Sequence, residues 1–134
     1  MLNKNAVKYI TNMSTLLVLV FLILLGCNKE GTQNFGVDVP ANLKPVKLGE
    51  VLENPTQYNG KQVLMKGVIS GQCASLCELF IRDGAHQATF FAEGFKYPKL
   101  ESEKPVSIYV NITSGPENVV FSALGLRVEE GNEK

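Results

Sequence analysis

The feature that most constrains the fold is a series of strand-like segments that begins at Gln62. The clearest covers residues 106–113, where apolar and polar residues alternate strictly, as in a strand with one buried face. Similar patterns predict strands over Gln62–Gln72 and over residues 78–82, 85–93 and 119–128. These segments predict an all-β chain of five strands.

The connections between the segments narrow the topology further. Asp83-Gly84 is a two-residue hairpin signal, and residues 115–118 (Gly-Pro-Glu-Asn) form a turn signal. Gly67 inside the first strand predicts a bulge or a sharp bend. A longer connection with Pro98 covers residues 94–105. A long bent first strand and an extended third connection indicate a five-stranded OB-fold Greek-key barrel.

A short helix is expected before the barrel, over residues 48–58. Leu48, Val51 and Leu52 have the i, i+3, i+4 spacing of one helical face. Asn54-Pro55 should end or kink this helix, because the residue before proline avoids the helical region. The predicted class is therefore β with one short N-terminal helix.

The motifs of this region form a recognisable pattern. It opens with Leu48-Gly49-Glu50, Leu52, Asn54-Pro55, Tyr58-Asn59-Gly60-Lys61, Val63 and Gly67-Val68, and it leads to the hairpin Phe80-Ile81-Arg82-Asp83-Gly84. The stretch from Val46 to Val128 resembles small bacterial OB-fold domains of the tRNA-anticodon-binding-like type. The resemblance implies the barrel and says little about a ligand. The helix that this family usually has between its third and fourth strands is weak or absent here.

An apolar run near the N-terminus ends in Leu24-Leu25-Gly26-Cys27. Lys4 and Lys8 precede it, and residues 16–25 are all apolar, which is typical of a secretory signal. The run is shorter than the roughly 20 apolar residues that span a bilayer. It resembles the lipobox of bacterial lipoproteins. That resemblance implies cleavage after residue 26 and acylation of Cys27, with fatty acids such as palmitate, so that the membrane is a partner through the lipid.

The predicted organisation is a signal peptide over 1–26, a flexible tether over 27–45, the OB-fold domain over 46–129 and a charged tail over 130–134. Without Lys4 and Lys8, 11 basic residues face 13 acidic ones, which makes a nucleic-acid partner unlikely. The expected location is the cell envelope, facing the periplasm or the exterior. The lipoprotein resemblance also implies the outer membrane if there are two membranes, because in that family an aspartate after the lipid cysteine retains the protein in the inner membrane, and this chain has Asn28 there.

Cys73 and Cys77 are predicted to form a disulfide, because export leads to an oxidising compartment. Positions four apart on an extended strand lie about 13 Å apart, too far for a disulfide, so residues 74–76 must turn. An alternative stays open, in which Cys73 and Cys77, with His86, bind a metal or exchange thiols. No cofactor is otherwise expected.

Candidate ligand-binding residues lie on the second and third strands. Alternation places Phe80 and Arg82 on one face, and Phe91 stands among the polar Gln87, Thr89 and Glu93. OB-folds bind ligands on this part of the sheet, and aromatic and arginine side chains stack on ligand rings. The predicted site comprises Phe80, Arg82, Phe91 and Tyr97. The alternative is that this face packs under the connection over 94–105, where Phe95 and Tyr97 would cover Phe80 or Phe91.

The sequence contains one histidine, His86, and no nucleophile motif, so no catalytic residues are assigned. The predicted function is a lipid-anchored, exported OB-fold binding module without enzymatic activity, which binds a small ligand or an envelope protein. The alternatives are a thiol-redox or metal-handling envelope protein, and a structural protein that docks on another protein.

Overall fold

A computed structural model describes residues 31–129 of the chain. The elements are β1 (Gln33–Gly36), α1 (Leu48–Glu53), α2 (Pro55–Tyr58), β2 (Gln62–Gln72), β3 (Glu78–Asp83), β4 (His86–Ala92), β5 (Pro105–Ser114) and β6 (Val119–Val128). The predicted signal peptide, Cys27 and the tail over 130–134 lie outside the described residues. Among the described residues, no helix is long and apolar enough to cross a bilayer.

Strands β2 to β6 close into a barrel. β2 pairs with both β3 and β5 in antiparallel fashion, and β3 and β4 form an antiparallel hairpin. β6 closes the barrel, because it pairs antiparallel with β5 and parallel with β4. This Greek-key arrangement confirms the predicted five-stranded OB-fold, and the strand bounds agree with the prediction to within one residue.

The core lies inside the barrel and follows the alternation of the strands. Val106, Ile108, Val110 and Ile112 are at most 1% exposed, as their period of two predicts. Phe90 and Phe121, which are register partners on β4 and β6, pack with their ring centroids 4.9 Å apart. Residues 31–129 form one compact unit with this core, so this part of the chain has the contacts of an independent folding domain.

The predicted helix over 48–58 is two short helices. α1 ends at Glu53 and α2 begins at Pro55, as the Asn54-Pro55 signal predicts. Leu48 and Val51 are buried against the barrel, but Leu52 is 37% exposed. The hydroxyl of Tyr58 donates a hydrogen bond to the carboxylate of Glu50, which ties α2 to α1 and raises the pKa of Tyr58.

The bend of β2 is a bulge at Ser70, three residues beyond the glycine that predicted it. The register with β3 shifts between Ile69 and Gly71. Gly67 has a different role, because a Cβ at this position would lie 2.6 Å from the carbonyl oxygen of Arg82. The glycine therefore lets β2 and β3 approach closely.

The connection between β4 and β5, which the structure describes throughout, contains no helix. This agrees with the expectation that the helix usual for the family at this place is weak or absent. It is held to the barrel by the side chain of Gln72. The Nε2 atom of Gln72 donates to the carbonyl oxygen of Pro98 at 2.7 Å, and its Oε1 atom accepts from the amide of Leu100 at 3.0 Å. These two bonds fix the position of the connection although it has no regular secondary structure.

β1 lies within the segment that the sequence predicted as a flexible tether. It pairs antiparallel with β6, from Gln33↔Val128 to Gly36↔Gly125. Arg127 reinforces the pairing, because its guanidinium donates to Asn34 Oδ1 at 3.1 Å and to the carbonyl oxygen of Val39 at 2.7 Å. The structure therefore extends the folded domain toward the N-terminus, and residues 33–36 belong to the sheet.

Candidate binding groove and the cysteine turn

The outer face of the β3–β4 hairpin carries three of the four predicted ligand-binding residues. The register pairs Phe80 with Thr89, Arg82 with Gln87, and Glu78 with Phe91. Directly opposed residues in an antiparallel pair point to the same face, so these six side chains share the outer face. Leu79 and Ile81 point inward and are buried, which confirms the predicted alternation.

Phe91 and Phe80 differ in how far they are covered. Phe91 is 41% exposed, one of four large apolar side chains of the described residues that are this open to solvent. Phe80 is half-buried. Exposing a phenylalanine ring to water is unfavourable, so an open ring on a sheet face is a candidate contact for a ligand.

Arg82 lies on the same face, but its charge is already paired. Its guanidinium Nη2 donates to both carboxylate oxygens of Glu103, at 3.1 and 2.8 Å. Both side chains are largely exposed, so the pair contributes little stability. A negatively charged ligand that binds Arg82 must compete with the carboxylate of Glu103.

A groove of about 500 Å³ opens beside Phe91. Four parts of the chain line it: the two short helices, β4, the turn that joins β5 to β6, and the start of β6. The lining residues are Leu52, Pro55, Ala88, Thr89, Phe91, Gly115, Pro116, Glu117, Asn118, Val119 and Phe121. The volume is within the range of pockets for small ligands, and most of the lining side chains are apolar.

Tyr97 does not belong to this surface, which corrects its assignment as a ligand contact. Its side chain is 1% exposed, and its hydroxyl donates to the carbonyl oxygen of Phe90 at 3.1 Å. Its ring packs edge-on against Phe95, with 5.2 Å between the centroids. Burial raises the pKa of Tyr97, so the phenol stays protonated as a donor. Tyr97 thus packs into the core, and Phe91, which the alternative placed under this connection, stays 41% exposed.

Cys73 and Cys77 lie on the turn between β2 and β3. The predicted turn is present, because the amide of Leu76 donates to the carbonyl oxygen of Cys73 at 3.0 Å. The predicted disulfide is not formed in this structure, and both residues are free cysteines. Instead, the hydroxyl of Ser75 lies between the sulfurs, 3.3 Å from Sγ of Cys73 and 2.9 Å from Sγ of Cys77.

Ser75 also changes the chemistry of the first thiol. Its hydroxyl, and then its backbone amide, hydrogen-bond the sulfur of Cys73, and together they lower the pKa of that thiol. A lower pKa increases the fraction of reactive thiolate. The turn therefore holds two free thiols, and the pKa of the first is lowered.

His86 lies at the other end of the hairpin from the cysteines. It pairs with Asp83 next to the turn, whereas the carbonyl of Cys77 accepts from Ala92, six residues further along β4. Six residues of strand span about 20 Å. The structure therefore does not bring His86 to the thiols, and no group of three metal-binding side chains occurs within residues 31–129.

The position of His86 has a packing explanation. A Cβ on Gly49 would lie 2.7 Å from the imidazole ring, so the ring sits directly against the backbone of α1. Next to it, Asp83 Oδ2 accepts from the amide of Leu48 at 3.0 Å, which attaches the start of α1 to the β3–β4 hairpin. His86 thus belongs to the contact between α1 and the barrel.

Comparison with solved structures supports the fold. A protein described as an aspartyl-tRNA synthetase from Leishmania major Friedlin superposes with a TM-score of 0.56 at 12% identity, over 75% of this chain and 24% of that chain. The aspartyl-tRNA synthetase from Entamoeba histolytica gives a TM-score of 0.53 at 13% identity, over 72% and 25% of the two chains. This chain thus spans about a quarter of either structure. At such identities the likeness establishes the OB-fold and no more.

No protein-family model matches the sequence, and no curated protein is significantly similar to it.

Of the four predicted ligand-binding residues, only Phe91 lines the groove. Among the lining residues that the sequence did not assign to a site are Leu52 and Glu117. The spacing predicts Leu52 on the buried face of the helix, but only Leu48 and Val51 are buried there, and Leu52 is 37% exposed and lines the groove. Glu117 was read only as part of a turn, because its neighbour across the groove, Leu52, is far away in the sequence. The turn over residues 115–118, which lies in the structure next to Phe91 on β4, is the feature that could have suggested Glu117 as a site residue.

Proposed function

We propose that this protein is an exported, lipid-anchored binding module that acts by binding rather than by catalysis. The observation that carries the binding role is the exposed ring of Phe91 at the edge of a groove of about 500 Å³. The anchor is supported by Leu24-Leu25-Gly26-Cys27 after a positively charged and apolar N-terminus. The proposed location is the cell envelope, with the domain held at the membrane surface.

The barrel gives the groove a rigid base. Phe91 and Thr89 lie on β4, which is paired on one side with β3 and on the other with β6. Sites on paired strands are held more precisely than sites on loops. The turn over residues 115–118 also lines the groove, and the amide of Gly115 closes it by donating to the carbonyl oxygen of Asn118 at 2.8 Å. A groove bordered by a paired strand and a closed turn is suited to holding a small ligand.

The lipid anchor is tested by metabolic labelling. The full chain is expressed in a bacterial host grown with an alkyne fatty acid, and the label on the purified protein is measured. We expect label on the wild type and none on Cys27→Ala, because only the cysteine of the lipobox receives the lipid. Cys73→Ala is the matched control and should keep the label. Equal label on Cys27→Ala and the wild type would contradict the anchor.

The groove is tested with benzyl alcohol as a neutral aromatic probe. Residues 31–134 are labelled with ¹⁵N, and amide shifts are followed during a titration. We expect shifts around residues 88–91 and 115–119. Phe91→Ala should raise the dissociation constant about five- to tenfold, because a central aromatic contact typically contributes more than 1 kcal/mol to binding.

Leu43→Ala is the matched control for Phe91→Ala. Leu43 is 36% exposed, close to the exposure of Phe91, but it does not line the groove. It should bind the probe as the wild type does. If Phe91→Ala and Leu43→Ala both bind like the wild type, Phe91 has no part in binding and the proposed site is wrong.

A further inference from the structure

We infer that the ligand of this groove is a small organic cation with an apolar body, such as a substituted amine or a quaternary ammonium compound. The inference rests on the proposed binding function and assigns its ligand class. Its basis is the combination of an exposed aromatic ring, apolar side chains in the lining and an unbalanced negative charge at one site.

The charge of the groove comes from one side chain. Glu117 is the only charged residue of its lining, and no lysine, arginine or histidine among the described residues lines it. Within residues 31–129, Glu117 takes part in none of the salt bridges, which join Lys66 to Glu129, Arg82 to Glu103, and Lys104 to Glu101. The carboxylate of Glu117 is therefore available to a cation.

The surroundings of Phe91 extend the negative charge. Glu78 is its register partner on β3, on the same outer face, and Glu93 follows two residues later in the chain. The one basic side chain on the outer face of the hairpin, Arg82, is paired with Glu103. The uncompensated groups next to the exposed ring are therefore acidic, which attracts cations and repels the phosphates of a nucleic acid.

Phe91 itself favours the same ligand. The face of an aromatic ring carries negative electrostatic potential, and organic ammonium ions bind over such faces. Apolar side chains such as Leu52, Pro55 and Val119 also line the groove and would contact the body of the ligand. A hydrated metal ion would not use these contacts, and an anion would face Glu117.

The ligand class is tested with three probes that share one ring: benzyltrimethylammonium, benzyl alcohol and benzenesulfonate. Amide shifts of ¹⁵N-labelled residues 31–134 are followed in each titration. We expect the cation to bind most tightly and the anion most weakly. Glu117→Gln should weaken the binding of the cation about three- to fivefold, the scale of an exposed ion pair, and leave benzyl alcohol unchanged.

Glu101→Gln is the matched control, because Glu101 is an exposed carboxylate outside the groove. It should leave all three dissociation constants unchanged. If all three probes bind equally and Glu117→Gln changes nothing, the cation assignment is overturned while the binding groove stands. If none of them perturbs residues 88–91 or 115–119, the proposed function fails as well. Tighter binding of a short single-stranded oligodeoxynucleotide at the same amides would replace the cation by a nucleic acid.

Discussion

Replacing Tyr97 with alanine is expected to lower the free energy of unfolding by about 3–5 kcal/mol, the range observed when a large buried aromatic side chain is truncated. Tyr97 is 1% exposed, and its hydroxyl donates to the carbonyl oxygen of Phe90. The substitution leaves a cavity and removes the partner of that carbonyl. Domains of this size are stable by about 5–15 kcal/mol, so the loss is a large part of the total.

Two further variants separate the contributions at this site. Tyr97→Phe keeps the ring and removes the hydroxyl, so it should cost about 1 kcal/mol, the usual net contribution of one hydrogen bond. Phe91→Ala removes a ring that is 41% exposed, so it should cost less than about 1 kcal/mol. Phe91→Ala is thus the surface counterpart of Tyr97→Ala, which truncates a buried ring.

The measurement is urea-induced unfolding of residues 31–134, followed by circular dichroism, because the chain contains no tryptophan. A Tyr97→Ala variant that stays within about 1 kcal/mol of the wild type would show that the ring is not part of the core. A comparable loss in Phe91→Ala would show that Phe91 is structural, which would also remove the basis for its role in the groove.

The strands could be predicted because each of them carries its own signal. In β5, four apolar residues with a period of two are all buried, and the same logic assigns the inner and outer faces of β3. The break between α1 and α2 could be predicted as well, since Asn54-Pro55 acts through local backbone sterics. Local patterns thus determine most of the barrel.

The sequence could not assign Tyr97, because the connection over 94–105 has no period that distinguishes an inner from an outer side. Its course is determined by contacts with remote residues, such as the bond from the amide of Tyr97 to the carbonyl of Leu76 and those of Gln72. An aromatic residue in an irregular segment can therefore reach the core or the surface. Phe91 could be assigned because it lies in a regular strand.

β1 was missed for a related reason. Asn34 and Gly36 have low strand propensity. The strand forms because β4 pairs with β6 only over residues 121–123, which leaves residues 125–128 of the same edge for β1. The groove has the same non-local character: Leu52, Phe91 and Glu117 come from three separate parts of the chain. The sequence identified the strand that carries Phe91, whereas the residues across the groove required the three-dimensional structure.

Replacing Gly125 with alanine is expected to displace β1 from the sheet. A Cβ at this position would lie 2.0 Å from the carbonyl oxygen of Val37, far inside contact distance, and the clash is with backbone that has no rotamer to change. The amide of Val37 donates to the carbonyl of Leu124 at 2.9 Å, so moving Val37 also breaks this bond. Overpacking of this kind costs about 1–3 kcal/mol.

The consequence is a local opening, which hydrogen exchange detected by mass spectrometry resolves. We expect amides of residues 35–39 to lose protection in Gly125→Ala, while those of β3 and β4 keep it, since their pairing does not involve β1. Gly71→Ala is the matched control: its Cβ would meet only a side-chain atom, Cδ2 of Phe80, at 3.2 Å. Both Gly→Ala substitutions reduce the conformational entropy of the unfolded chain by the same amount. The difference in protection between the two variants therefore reports the clash with Val37 alone. Unchanged protection of residues 35–39 in Gly125→Ala would mean that β1 is not held against β6, and the domain would then begin after β1.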